Sequence, residues 1–108
     1  MRIWHQQLIH NLCNQHLLAV WREGLGCYSI IVNHKQGYKN HPAVKEFQQS
    51  PQALWNRLAQ IREEMRDRGF EPKQLPRLVT DPRSRIFLWQ TLDQQIEILK
   101  SKKCKCKI

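Results

Sequence analysis

Acidic residues are scarce in this chain of 108 residues, which has 9 Asp and Glu against 18 Lys and Arg. The resulting net charge of +9 favours a polyanionic partner, nucleic acid before an anionic membrane surface. The scarcity is greatest in the first 45 residues, where Glu23 is the only carboxylate. Residues 100–108, in contrast, hold five lysines and no acid. More than half of the net charge therefore lies in a short terminal segment, which can assist binding without selecting a site.

Long apolar runs are also missing. The longest is the five-residue run Leu17–Trp21, which is too short for a membrane-spanning helix. The first residues lack the apolar stretch of a secretory signal. The length suits one domain, and 41% apolar with 25% charged residues is a globular composition. We therefore expect a single-domain cytoplasmic protein.

Cysteine occurs four times, but nothing in the sequence indicates an oxidising compartment, so we interpret the cysteines as free thiols. Cys104 and Cys106 could contribute to a soft-metal site, which would need two more ligands from elsewhere. The steps between His5, His10 and His16 place these residues on different faces of a helix. We therefore predict no metal site and no cofactor.

The N-terminal part of the chain has the apolar periodicity of a helix over residues 4–22. We expect this helix to end near Gly24 and Gly26. Residues 27–33 would suit a strand by propensity, but a lone strand would have no partner. A buried helical or irregular segment is the favoured interpretation.

Prolines at helix starts mark the remaining elements. Pro42 could open a short helix to about Gln48. Ser50-Pro51 predicts a long amphipathic helix that stops at Gly69. Residues 70–80 form a connector, and Asp81-Pro82 repeats the cap-and-proline start before a last apolar stripe that includes Leu88, Trp89, Leu92, Ile96 and Leu99.

Helices without paired strands predict an all-α fold with one compact domain over residues 1–99. Residues 100–108 are expected to form a flexible basic tail.

Glu23 is the residue that the charge distribution singles out. A polyanion-binding face usually keeps acids away, so a carboxylate retained in this stretch is a candidate for proton transfer. The alternative is an ordinary surface pair of Arg22 and Glu23 at the end of a helix.

Three short motifs resemble the phage pyrimidine-dimer DNA glycosylase family. Residues 15–23, Gln-His-Leu-Leu-Ala-Val-Trp-Arg-Glu, resemble a family helix with Gln-His-Leu, an Ala two residues on, and then an aromatic-Arg-Glu. Met1-Arg2-Ile3 is similar to the processed Thr-Arg-Ile start of that family. Arg68-Gly69-Phe70 is similar to its Lys-Arg-Gly-Phe. The resemblance covers roughly residues 1–70 and implies the same helical fold.

The resemblance implies a mechanism. In that family the N-terminal amine attacks C1′ of a damaged nucleotide, displaces the base and forms a Schiff base, and a glutamate assists β-elimination. Met1 and Glu23 would be the catalytic residues here, and the partner would be damaged double-stranded DNA bound by a monomer. The residues implied to contact DNA or substrate are Arg2, Gln15, His16 and Arg22.

The sequence departs from the family pattern in three places. Arg2 is too large to allow removal of Met1, so the amine of Met1 itself would be the nucleophile. Gly26 stands where the family has another arginine. The aromatic, basic C-terminal segment of the family has no clear counterpart.

The sequence is also compatible with two other functions. A non-catalytic nucleic-acid-binding helical module would keep the fold without the reaction, using Lys and Arg for phosphate contacts. An interaction protein would use its basic tail to bind acidic partners.

Overall fold

Helices make up all the regular structure in the computed structural model, which describes residues 2–80 and 88–107. A 3₁₀ helix, Gln6–Asn11, is followed by α1 (Asn14–Val32), α2 (Pro42–Gln48), α3 (Pro51–Asp67) and α4 (Leu92–Ser101). Neither described range contains a strand, so the predicted all-α fold is confirmed. None of the helices in these ranges is long and apolar enough to cross a bilayer.

The core forms where α1 crosses α3, and both the 3₁₀ helix and α2 pack against α3. Leu54, Leu58, Ile61 and Met65 are all buried, as their spacing along α3 predicts. Ser50 is the N-cap residue of α3, as predicted. Its hydroxyl accepts a hydrogen bond from the Ala53 N–H at 3.2 Å.

The N-terminal helix differs from its prediction. Residues 6–11 form a 3₁₀ helix. Leu12 and Cys13 then have extended backbone angles, which separate this helix from α1. α1 then continues through both glycines to Val32. The expected end at Gly24 and Gly26 is therefore wrong. The interpretation of residues 27–33 as a buried helical segment is confirmed over its helical part, residues 27–32.

Gly24 lies inside α1 because the helix approaches α3 closely there. A Cβ built on Gly24 would lie 2.7 Å from Leu58 Cδ2, whereas a Cβ on Gly26 would meet nothing within 4 Å. The close packing of α1 against α3 therefore favours glycine at position 24, despite the low helix propensity of this residue.

These two glycines provide a matched test. We expect Gly24→Ala to destabilise the protein by about 1–3 kcal/mol, since Leu58 is fully buried and must shift within a packed core. Gly26→Ala should stabilise it by about 0.5–1 kcal/mol through helix propensity. Urea unfolding of both variants measures the difference. Equal effects of the same sign would contradict the close approach of α1 and α3.

The last helix starts later than its apolar stripe suggests. Thr91 caps α4 in a capping box with Gln94, so the helix begins at Leu92. Leu88 and Trp89 lie before the helix and are exposed, which corrects their assignment to its buried stripe. The predicted start at Asp81-Pro82 lies outside the described residues.

The C-terminal segment lies against the beginning of the chain. The Lys107 N–H donates to the Asn11 carbonyl at 2.8 Å, and the Cys13 N–H donates to Cys106 Sγ at 3.1 Å. The sequence led us to expect flexibility here, because it carries no sign of these long-range contacts. The domain boundary after residue 99 stays a prediction.

Arg68, from one of the motifs that carry the family resemblance, anchors the 3₁₀ helix to α3. Its guanidinium donates to the carbonyls of Leu12 at 2.7 Å and His10 at 3.1 Å, and to Glu64 Oε2 at 2.8 Å. Burial alone would raise the pKa of Glu64, but the hydrogen bonds from Arg68 and His10 leave it below its ordinary value. The next residue, Gly69, has a φ of 90° and ends α3 in the left-handed conformation, as predicted.

Candidate active site

Glu23 lies on α1 where this helix meets the first residues of the chain. The backbone N–H of Arg2 donates to Glu23 Oε2 at 3.0 Å, and the glutamate is half-buried. Two predicted site residues, 21 positions apart, are thus in direct contact. Met1, predicted to be the nucleophile, lies outside the described residues.

The side chain of Arg2 is held by aromatic rings. Its guanidinium carbon lies 5.2 Å from the centroid of Trp4 and 5.1 Å from that of Trp89, and it also hydrogen-bonds Gln90 Oε1. Cation–π contacts of this kind are favourable and directional. The guanidinium of Arg2 is therefore held against two tryptophan rings, while the backbone N–H of the same residue binds Glu23.

His41 and Trp89 form another side of the site. Their rings meet edge to face at 5.6 Å, and Trp89 remains 38% exposed. Burial, together with the positive charge of Arg2, lowers the pKa of His41, while the charge of Glu23 acts in the opposite direction. The imidazole of His41 is thus biased towards its neutral form. It lies beside the solvent-exposed ring of Trp89.

His16 precedes Glu23 by seven residues and so lies on nearly the same face of α1. Its ring contacts Trp4 edge to face at 6.1 Å. Burial lowers the pKa of His16, as does the charge of Lys102, and Glu23 opposes both. Its Nδ1 atom points to two thiols, Cys13 Sγ at 3.3 Å and Cys106 Sγ at 3.1 Å. This ring nitrogen is therefore directed at sulfur.

Gln15 and Arg22 are exposed and lie on the neighbouring face of α1. They too are seven residues apart, which separates them by about 10 Å along the helix axis. Gly26, also exposed, continues this face by one turn. The three positions form a solvent-facing stripe beside Glu23. Arg22 is the one arginine among them.

A buried layer holds both tryptophans in place. Glu46 is 8% exposed, and its Oε1 accepts a hydrogen bond from the Trp89 N–H at 3.3 Å. Arg57 donates to the carbonyl oxygen of Trp4 at 2.6 Å. Burial raises the pKa of Glu46 and lowers that of Arg57, and each group's charge opposes the shift of the other. The charge of each group thus partly offsets the cost of burying the other, and both groups bind the backbone of a tryptophan whose ring contacts Arg2.

Gln95 connects α4 to the same region. Its Oε1 accepts from the His5 N–H at 2.6 Å, and its Nε2 donates to the Gln90 carbonyl at 3.0 Å. The side chain is buried. α4 thus holds the N-terminal segment next to Glu23.

Sequence reasoning missed several residues of this site: Trp4, His41, Glu46, Arg57, Trp89, Gln90 and Gln95. A signal existed for two of them. Glu46 and Gln95 are polar residues at positions where helical spacing predicts an apolar side chain, which is typical of a buried hydrogen-bonding role. The others are brought together only by the fold.

Comparison with known proteins bears on this site. No curated protein and no solved structure matches the chain. A family model described as pyrimidine dimer DNA glycosylase matches residues 1–77, which include Arg2, Glu23 and His41. This match spans well over half of the 108 residues. The chain therefore belongs to the pyrimidine dimer DNA glycosylase family.

Proposed function

We propose that this protein is a DNA repair glycosylase with associated abasic-site lyase activity, acting on pyrimidine dimers or another damaged base. The α-amine of Met1 is the nucleophile and Glu23 is the acid/base. The observation that carries the proposal is the hydrogen bond between the Arg2 N–H and Glu23 Oε2, at 3.0 Å.

This contact limits how far the amine can lie from the carboxylate. Three covalent bonds separate the α-amine of Met1 from the amide nitrogen of Arg2, so standard bond lengths keep the two nitrogens within about 3.7 Å. The amine then lies within about 7 Å of Glu23 Oε2. A single deoxyribose can span that distance, because its reacting carbons C1′ and C2′ are bonded to each other.

The chemistry suits these groups. An α-amine has an ordinary pKa of about 8, so a useful fraction is neutral near pH 7, whereas a lysine would need strong depression. The amine bonds to C1′ as the bond to the damaged base breaks, and the nitrogen then loses a proton. Its lone pair opens the sugar ring: the C1′–O4′ bond breaks, O4′ takes up a proton, and the protonated Schiff base forms between C1′ and nitrogen. Glu23 then removes a proton from C2′, and the electron pair expels the 3′ phosphate.

The surroundings of Glu23 support DNA as the substrate. Gln15 and Arg22 face solvent on α1, where they can reach phosphates. Trp89 offers an exposed ring beside Arg2, and aromatic rings of this kind stack on unpaired bases. A nucleotide must leave the duplex for attack at C1′, which costs a few kcal/mol and least at a damaged pair.

Borohydride trapping tests the proposal. The untagged protein is incubated with duplex DNA that carries a pyrimidine dimer or an abasic site, and borohydride is added. We expect a covalent protein–DNA adduct that disappears when the N-terminal amine is acetylated. Undamaged duplex serves as the control substrate.

The absence of an adduct on both substrates, from folded protein with a free N-terminus, would overturn the enzymatic proposal. A non-catalytic nucleic-acid-binding module would then be favoured if binding is salt-sensitive, indifferent to damage and unchanged by acetylation.

A further inference from the structure

Three potential metal ligands converge at the N-terminal end of α1. Cys13 is the N-cap residue of this helix, His16 lies in its first turn, and Cys106 comes from the C-terminal segment. Their ligand atoms all lie within 4.8 Å of one another. All three side chains are half-buried, and the cysteines are free thiols.

The distances suit one tetrahedral metal ion. With Zn–S near 2.3 Å and Zn–N near 2.0–2.1 Å, two ligand atoms of a tetrahedral zinc lie about 3.6–3.8 Å apart. His16 Nδ1 lies 3.3 Å from Cys13 Sγ and 3.1 Å from Cys106 Sγ. Movements of a few tenths of an ångström would bring the three atoms to the edges of such a tetrahedron.

We propose that Cys13, His16 and Cys106 bind one zinc ion, with Cys104 as the fourth ligand. The proposal does not rest on the glycosylase reaction. The three cysteines lie outside the chemistry at Glu23, and His16 would bind the metal through Nδ1, the nitrogen already directed at the two thiols.

Cys104 is suited to the fourth position. It is two residues from Cys106, is half-buried, and its Sγ lies 3.8 Å from the Leu99 carbonyl oxygen. A rotation of the Cys104 side chain would therefore complete a Cys₃His set, the composition of many structural zinc sites.

The donor set selects the metal by its chemistry. Thiolate sulfur and imidazole nitrogen favour zinc, whereas magnesium and calcium prefer oxygen ligands. A groove of about 740 Å³ is lined by Cys13 and Cys104, so a metal ion could reach these two thiols from solvent.

The ion would join parts of the chain that are 93 residues apart. Cys106 already accepts a hydrogen bond from the Cys13 N–H at 3.1 Å, so the apo protein holds the two ends close together. Metal ligation would strengthen this contact and fix the ring of His16, seven residues before Glu23. The expected role is structural: to hold the C-terminal segment against α1.

The spacing of the cysteines explains why the sequence did not predict a metal site. Cys104-x-Cys106 is one close pair, and Cys13-x-x-His16 is a second that only the structure relates to the first.

Metal content and thermal unfolding of the reduced, full-length chain test the proposal. We expect one zinc per chain after dialysis, by elemental analysis, and a Tm about 10 °C higher at a zinc concentration 100-fold above Kd. Cobalt should give the thiolate charge-transfer absorption of a tetrahedral sulfur-ligated site. Cys106→Ser and Cys13→Ser should lower zinc affinity at least tenfold, and Cys104→Ser should do the same.

Cys27→Ala is the matched control, because Cys27 is buried elsewhere on α1 and contacts the Ala43 carbonyl. It should retain one zinc. Zinc binding that survives Cys106→Ser and Cys13→Ser would overturn the site, as would reduced wild-type protein without stoichiometric zinc or the cobalt band. Unchanged affinity in Cys104→Ser would overturn the fourth ligand. The wild-type cobalt spectrum decides the matter even if a variant fails to fold.

Discussion

Glu23→Gln is expected to reduce strand cleavage at an abasic site by about 10²–10⁴-fold, the usual contribution of a general base. Glutamine has the same shape, and its amide oxygen can still accept the hydrogen bond from the Arg2 N–H. The fold and DNA binding should therefore be preserved, while removal of the C2′ proton is lost. Single-turnover cleavage together with a binding assay on the same DNA separates the two effects.

Glu63→Gln provides the control for this change. Glu63 is exposed on α3, away from the contacts of Arg2, and its substitution removes the same charge. Cleavage should be unaffected. Cleavage by Glu23→Gln at the wild-type rate would remove Glu23 from the mechanism, even if borohydride still traps the protein on DNA.

Arg57→Met is expected to destabilise the protein by about 1–3 kcal/mol. It removes the hydrogen bond that Arg57 donates to the Trp4 carbonyl, and it removes a positive charge that opposes the cost of burying the Glu46 carboxylate. Chemical unfolding at pH 7 measures the loss. A change below about 1 kcal/mol would contradict the coupling of the two charges.

The loss of stability in this variant, relative to the wild type, should become smaller as the pH falls from 7 to 5. Burial already raises the pKa of Glu46 in the folded state, and loss of Arg57 raises it further. Because the folded protein then binds a proton that the unfolded chain does not, lowering the pH through this window favours folding. Glu64 acts in the opposite sense only at more acidic pH, since its pKa is lowered. His5, His16 and His41 act in the opposite sense within this window, because burial lowers their pKa values, and all the variants keep these residues.

The double variant Arg57→Met with Glu46→Gln isolates the cause. Compared with Arg57→Met, the double variant should lack the part of the pH dependence between 5 and 7 that Glu46 contributes, and part of the lost stability should return. If the double variant keeps the full pH dependence, another group is responsible.

Local signals in the sequence predicted the parts of the fold that depend on neighbouring residues. The start of α3 at Ser50-Pro51 and its end at Gly69 follow from capping and from backbone conformation within one turn. Its buried face follows from periodicity. In the same way, the scarcity of acids in the first 45 residues drew attention to Glu23, because charge can be counted without a structure.

The limits of the first helices, in contrast, depend on contacts between distant parts of the chain. The glycines of α1 resemble a helix end in sequence, yet Gly24 lies in the helix because Leu58 of α3 occupies the space of its side chain. The break at Leu12 and Cys13 depends in turn on Arg68, whose guanidinium binds the Leu12 carbonyl. Contacts between residues 34 and 56 positions apart decide both features, and local propensity contains no information about them.

By itself, the sequence determined the helical composition, the limits of α2 and α3, the candidate carboxylate and the resemblance to a repair family. Only the tertiary structure decided what surrounds that carboxylate. It placed Trp89 and His41 near Arg2, bound Glu46 and Arg57 to the backbone of Trp89 and Trp4, and brought Cys106 to Cys13. The physical reason is that hydrogen bonds, ring contacts and charge compensation act over a few ångströms in space, while these residues are separated by tens of positions along the chain.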